Sequence, residues 1–147
     1  MVDGTLEECV LRFFAYLDRY KKFDHSVTDF LNAYMKDASE KFDFAARERE
    51  FRHVFSELAK AFPEGITRPG RKGKTPLNLY EGISVGAALA IRKNGRIETK
   101  NLKNWIASKD LRKYTTGATN VRSAVKGRIE FCRDRFLGKA YVSGTED

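Results

Sequence analysis

The sequence predicts an all-α domain of five to six helices packed as an irregular bundle. Apolar residues recur at steps of three and four along most of the chain, which is the spacing of one helical face. Capping residues precede these runs, and glycine or proline follows them. No segment of convincing length alternates apolar and polar residues as a half-buried strand does. With 147 residues, 41% of them apolar, the chain is long enough to bury a core as one domain.

Polar caps and one proline delimit the first three helices. Thr5 and Glu8 form a capping box, Ser26 caps the second helix, and the third stops because Pro63 cannot continue it. Their inward faces are expected to hold Leu6, Cys9, Val10, Phe13, Leu17 and Tyr20, then Val27, Phe30, Leu31, Tyr34, Met35 and Ala38, and then Phe44, Phe51, Val54, Phe55, Leu58 and Phe62.

A glycine- and proline-rich segment, residues 63–75, predicts a loop of net charge +3. Thr75 and Pro76 then fit the cap and first position of a helix that ends at Gly95. Small residues crowd this helix and suit close approach by its neighbours: Gly82, Ser84, Gly86, Ala87, Ala88 and Ala90.

The rest of the second half predicts a short helix, a polar stretch over residues 113–119 and a final helix. The short helix holds Leu102, Trp105 and Ile106. Thr119 or Asn120 is the expected cap of the final helix, and Gly138 its end. The predicted domain covers residues 1–138, with 139–147 as a frayed tail.

Positive charge is concentrated in the second half of the chain. Residues 1–62 hold 10 Lys+Arg against 12 Asp+Glu, a net of −2, whereas residues 63–147 hold 18 against 8, a net of +10. A one-sided field of this kind favours an anionic partner such as nucleic acid.

Catalytic, metal and cofactor sites are not indicated. Two distant cysteines and two histidines lack the spacing of zinc ligands or a triad. Residues 73–75 match the Gly-Lys-Thr of a phosphate-binding loop, but Arg68 stands where its first glycine belongs. The acids interleave with Lys and Arg, as on a solvated helix face. We therefore expect no catalytic residue, no metal and no cofactor in this chain.

Two groups of basic residues are the candidate nucleic-acid contacts. The loop offers four on a backbone that could follow phosphates, and the final helix offers three on one side. These residues are Arg68, Arg71, Lys72 and Lys74 in the loop, and Arg122, Lys126 and Arg133 on the helix.

The order of segments resembles the C-terminal region of a bacterial family whose N-terminal part is a ParB/sulfiredoxin-like domain. That family includes the GmrSD-like modification-dependent restriction enzymes and related phage-defence proteins. The similar segments are ECVLRFFAY at 8–16, DFLNAYM at 29–35, PLNLYEGISVGAALA at 76–90 and GRIE at 127–130.

The resemblance covers residues 6 to 138. It implies which part of a larger protein this chain corresponds to, and it assigns no active-site residue to this sequence. The family's Asp-Gly-Gln-Gln-Arg motif and the His-Asn-His nuclease motif of some members are missing from this sequence. The resemblance thus implies a C-terminal helical portion that packs against an N-terminal ParB-like domain, in a parent protein with nucleotide-dependent nuclease action.

Two functions follow as expectations. The first is a non-catalytic accessory domain of a DNA-directed restriction or phage-defence protein, which contacts the phosphate backbone. The alternative is a protein-interaction or dimerisation module with no nucleic-acid role. No apolar run approaches the roughly 20 residues of a membrane span, and no signal peptide is indicated, so we expect a cytoplasmic protein with no membrane partner.

Overall fold

The computed structural model describes residues 6–67 and 76–139, and these are helical with short connections. They form seven α-helices and one short 3-10 helix: α1 (Leu6–Arg19), the 3-10 helix (Tyr20–Lys22), α2 (Val27–Lys41), α3 (Phe44–Ala61), α4 (Leu77–Asn94), α5 (Leu102–Ile106), α6 (Lys109–Thr115) and α7 (Arg122–Phe136). The all-α prediction is confirmed. Thr5, Thr75 and residues 140–147 lie outside the described ranges.

The predicted count of five to six helices is wrong because α6 was not foreseen. Its first turn is capped by Ser108, whose side chain accepts from the Leu111 amide at 3.2 Å. Leu111 is its buried apolar anchor, and Thr115 is buried beside it. Two large apolar residues in a helix of seven, Leu111 and Tyr114, are too few to show a helical period.

Two of the other caps differ from expectation. Ser26 caps α2 through the Asp29 amide, and Gly95 ends α4 in a left-handed conformation, both as predicted. The helix α7, however, follows Val121 and has no side-chain cap, so neither Thr119 nor Asn120 caps it. Pro76 is the cap of α4 rather than its first residue, a shift of one position.

Helix α4 is the centre of the fold and packs against α1, α3 and α7. Gly82 lies against Arg128 and Gly86 against Cys132, so α4 and α7 step along each other in the same direction. A Cβ at Gly86 would lie 2.7 Å from the Cys132 Cβ and from the Arg133 amide nitrogen. The predicted close approach at small residues is therefore confirmed.

Aromatic rings fill the space between α1, α2 and α3. Phe13 packs edge-on against Phe51 and Phe55, whose own rings are stacked 4.4 Å apart. Four residues that the apolar spacing places on inward faces are instead exposed: Leu6, Met35, Phe44 and, at the start of the final helix, Val121. The first three lie on the margins of their helices' apolar stripes, where the neighbouring helices do not cover them.

Candidate nucleic-acid interface

The described part of the second half keeps the excess of positive charge on its surface. Residues 76–139 hold 14 Lys+Arg against 5 Asp+Glu, a net of +9. Because α4 and α7 run in the same direction, their C-terminal ends lie together. The Glu98 amide, four residues beyond α4, donates to the Phe136 carbonyl of α7 at 2.8 Å and joins these two ends.

The predicted basic residues of α7 lie along the connection between α1 and α2, and carboxylates neutralise them in part. The Arg122 guanidinium donates to the Phe23 carbonyl at 3.2 Å and lies 3.4 Å from Asp24. Lys126 is 4.0 Å from a Glu130 oxygen and its side chain is 58% exposed. Both reach solvent and remain able to meet a phosphate.

Arg133 is the least available of the three. Its side chain is only 28% exposed, and its guanidinium bonds to Asp134 at 2.9 Å and to Glu130 at 3.5 Å. Glu130 also accepts from the Tyr20 hydroxyl at 2.7 Å. Burial and this bond raise the pKa of Tyr20 to about 12, so the tyrosine stays neutral. Glu130 therefore ties α7 to the 3-10 helix, and Arg133 pairs with the same carboxylate.

The four basic residues of the loop, Arg68, Arg71, Lys72 and Lys74, lie outside the described residues. The structure describes the chain again from Pro76, the cap of α4. Next to it, the Asn78 side chain donates to the Thr115 carbonyl at the end of α6.

A third basic group lies between the last turn of α4 and α5. Lys93, Arg96, Lys100 and Lys103 are all exposed, and none has an ion-pair partner among the described residues. We call these four residues the basic segment. The one acid between them, Glu98, accepts from the Thr99 amide. The sequence identifies these residues as cations, but it does not show that they lack the carboxylate partners that other cations have.

A buried ion network joins α1, α4 and α7, and sequence reasoning missed it. Glu81 on α4 bonds to Arg12 on α1 at 2.8 Å and to Arg128 on α7 at 2.7 Å. Arg128 also donates to the Thr119 carbonyl at 2.7 Å, while Glu8 pairs with Arg12 at 3.0 Å. Burial lowers the pKa of Arg12, but the charge of Glu81 more than offsets this.

This network does not have the character of an acid–base site. Glu81 is the one buried carboxylate among residues 6–67 and 76–139, and both its oxygens already accept from guanidinium groups. A general base needs a free oxygen within reach of substrate. Two acids against two arginines leave the cluster neutral, as a structural ion network should be.

Across the described ranges, no group of three or more His, Cys, Asp and Glu side chains is placed to hold a metal ion. No helix there is both long and apolar enough to cross a membrane. Comparison with family models, with curated proteins and with solved structures finds no match to this chain.

Proposed function

We propose that this chain is a non-catalytic helical domain that contacts the phosphate backbone of DNA through its basic second half. The observation that carries the proposal is the basic segment, four exposed cations without carboxylate partners. Lys and Arg without local counter-charges attract phosphates and release the counter-ions condensed on DNA. Paired cations contribute less because they must first leave their carboxylates.

The candidate contacts differ in whether a carboxylate already pairs with them. Lys93, Arg96 and Lys103 lose no ion pair on binding, whereas Arg133 would have to leave Asp134 and Glu130. We therefore place the main phosphate contact at the basic segment. Arg122 and Lys126 of α7 are secondary contacts. Arg68, Arg71, Lys72 and Lys74 stay candidates on their charge alone.

The resemblance extends the proposal to a biological setting. We propose that the domain is the accessory helical part of a DNA-directed restriction or phage-defence protein in the cytoplasm. It would pack against an N-terminal ParB-like domain of the same parent protein. The chemistry of that parent would lie in the other domain, because the buried acid of this chain is fully bonded.

The test is the salt dependence of duplex DNA binding. Each phosphate contact adds about 0.9 to the slope of log affinity against log salt, so removing three contacts flattens it by up to about 2.7. The variant is Lys93→Gln/Arg96→Gln/Lys103→Gln. Its matched control, Lys22→Gln/Lys36→Gln/Arg49→Gln, removes two lysines and one arginine from exposed positions of the first half.

We expect the variant to flatten the slope and the control to leave it unchanged. Fluorescence anisotropy between 50 and 200 mM salt measures both slopes. Over this range, binding through six to ten phosphate contacts weakens by roughly 10³ to 10⁵. Equal slopes for the two variants would place the contact elsewhere. The change Arg68→Ala/Arg71→Ala/Lys72→Ala/Lys74→Ala tests the loop in the same assay, and an unaltered slope removes the loop from the interface.

A protein-interaction or dimerisation module is the second candidate, and one observation favours it. Leu6 and Phe44 are 78% and 74% exposed, on the half of the chain that carries no excess of positive charge. Large exposed apolar residues are common at interfaces between proteins. Light scattering with and without duplex DNA separates the two functions, because a stable dimer that ignores DNA supports the module.

A further inference from the structure

A small cavity lies where the connection from α4 to α5 packs on the C-terminal end of α7. Its volume is about 240 Å³, and Lys100, Trp105, Arg135 and Lys139 are among the residues that line it. The Glu98–Phe136 backbone bond and the packing of Trp105 on Phe136, with ring centres 5.1 Å apart, hold the two walls together.

The charge of the lining favours an anion. Three cations face one carboxylate, Glu98, whose Oε1 accepts from the Thr99 amide. Lys139 has a weak partner in Asp134 at 3.4 Å, and its side chain is 55% exposed. Such exposed pairs are weak, so Lys139 can leave Asp134 for a doubly charged ligand. Arg135 lies over the Phe131 ring, 5.1 Å from its centre, which orients its guanidinium.

The size of the cavity and its hydrogen-bond donors bear on which anion could bind there. Pockets for drug-sized ligands measure roughly 300–1,000 Å³, so this cavity is smaller than those and has room for a phosphate group. Trp105 lines the cavity, and its indole N–H donates to no acceptor among the described residues. A phosphate oxygen in the cavity could accept from it.

We infer that this cavity binds a phosphate group of a nucleic acid, either a bridging phosphate of the backbone or a terminal one. The inference rests on the proposed function for the source of the phosphate. Lys100 and Lys139 supply the charge, and the Trp105 N–H supplies a directed donor. The cavity adjoins the basic segment, which shares Lys100 with it, so one strand could occupy both.

Trp105 is the single tryptophan of the chain, so its fluorescence reports on the cavity. Inorganic phosphate is the first probe, titrated at constant ionic strength against sodium chloride. We expect a saturable change in emission that chloride does not produce. The variant Lys100→Gln/Lys139→Gln should weaken phosphate binding by about tenfold or more, because charge-assisted bonds are lost.

The matched control is Lys22→Gln/Lys36→Gln, which removes two exposed lysines of the first half that neither line the cavity nor belong to the basic segment. It should bind phosphate as the unaltered chain does. The variant Lys100→Arg, which keeps the charge, should retain binding and so separates loss of charge from loss of structure. Emission that ignores phosphate, or an equal loss in the variant and the control, overturns the inference.

Two oligonucleotides of one sequence, with and without a 5′-phosphate, then identify the source by competition. Equal displacement of phosphate indicates the backbone, and stronger displacement by the phosphorylated strand indicates a terminal group. Displacement by neither overturns the assignment to nucleic acid. If phosphate binds the cavity but duplex binding ignores the basic segment, the proposed function fails alone. If duplex binding depends on that segment but phosphate does not bind, the cavity fails alone.

Discussion

Replacing Glu81 by glutamine tests whether the buried ion network holds α1, α4 and α7 together. The side chain of Arg128 is 1% exposed, and Glu81 is its counter-ion at 2.7 Å. The change Glu81→Gln keeps the size of the side chain but leaves a buried guanidinium without a compensating charge. Breaking a buried pair in this way costs about 3–5 kcal/mol in the free energy of unfolding.

Urea denaturation followed by circular dichroism measures this loss. The matched control is Glu50→Gln, because Glu50 on α3 also pairs with two arginines, Arg92 on α4 and Arg47 on α3 itself. Arg92 is 41% exposed, so solvent screens that pair and its loss should cost about 1 kcal/mol or less.

A second variant separates the charge from the shape of the site. Glu81→Leu/Arg128→Met removes both buried charges, and we expect it to be more stable than Glu81→Gln, since apolar replacement of a whole buried pair is often neutral. If Glu81→Gln costs no more than Glu50→Gln, the buried network does not stabilise the fold as argued.

Two further predictions concern packing and pH. Gly86→Ala should lower the free energy of unfolding by about 1–2 kcal/mol net, because crowding against Cys132 exceeds the roughly 1 kcal/mol gained in helix propensity. Gly82→Ala, where the nearest atoms lie 3.2 Å away, should cost less, and equal stabilities in urea would contradict this. Burial alone would raise the pKa of Asp134, but Arg133 holds it below its ordinary value of 3.8. The stability that Asp134 contributes is therefore present above that value and lost as the pH falls through the lowered pKa, so the urea midpoints of the unaltered chain and Asp134→Asn should converge in acid.

Much of the fold follows from local sequence. The apolar spacing of α1, α2 and α3 predicts three helices because a helix that buries one face must repeat at 3.6 residues. The small residues of α4 predict its central position, since only a backbone without side chains between allows the approach seen at Gly86. Such signals are weak for α6, whose seven residues make only about two turns. They are also weak for Phe44, which is exposed at the margin of the apolar stripe of α3.

The candidate interface likewise follows in part from the sequence and in part from the packing of the helices. The amino-acid sequence is enough to show that the second half carries the positive charge and which residues carry it, because charge depends on composition alone. Helix packing then sets which of these cations are available. Arg133 is bound to Asp134 and Arg128 is buried against Glu81, whereas Lys93 and Lys100 have no carboxylate partner among the described residues. Partners such as Glu81 and Arg128 lie 47 residues apart. Their pairing depends on how α4 and α7 pack, which no local pattern specifies.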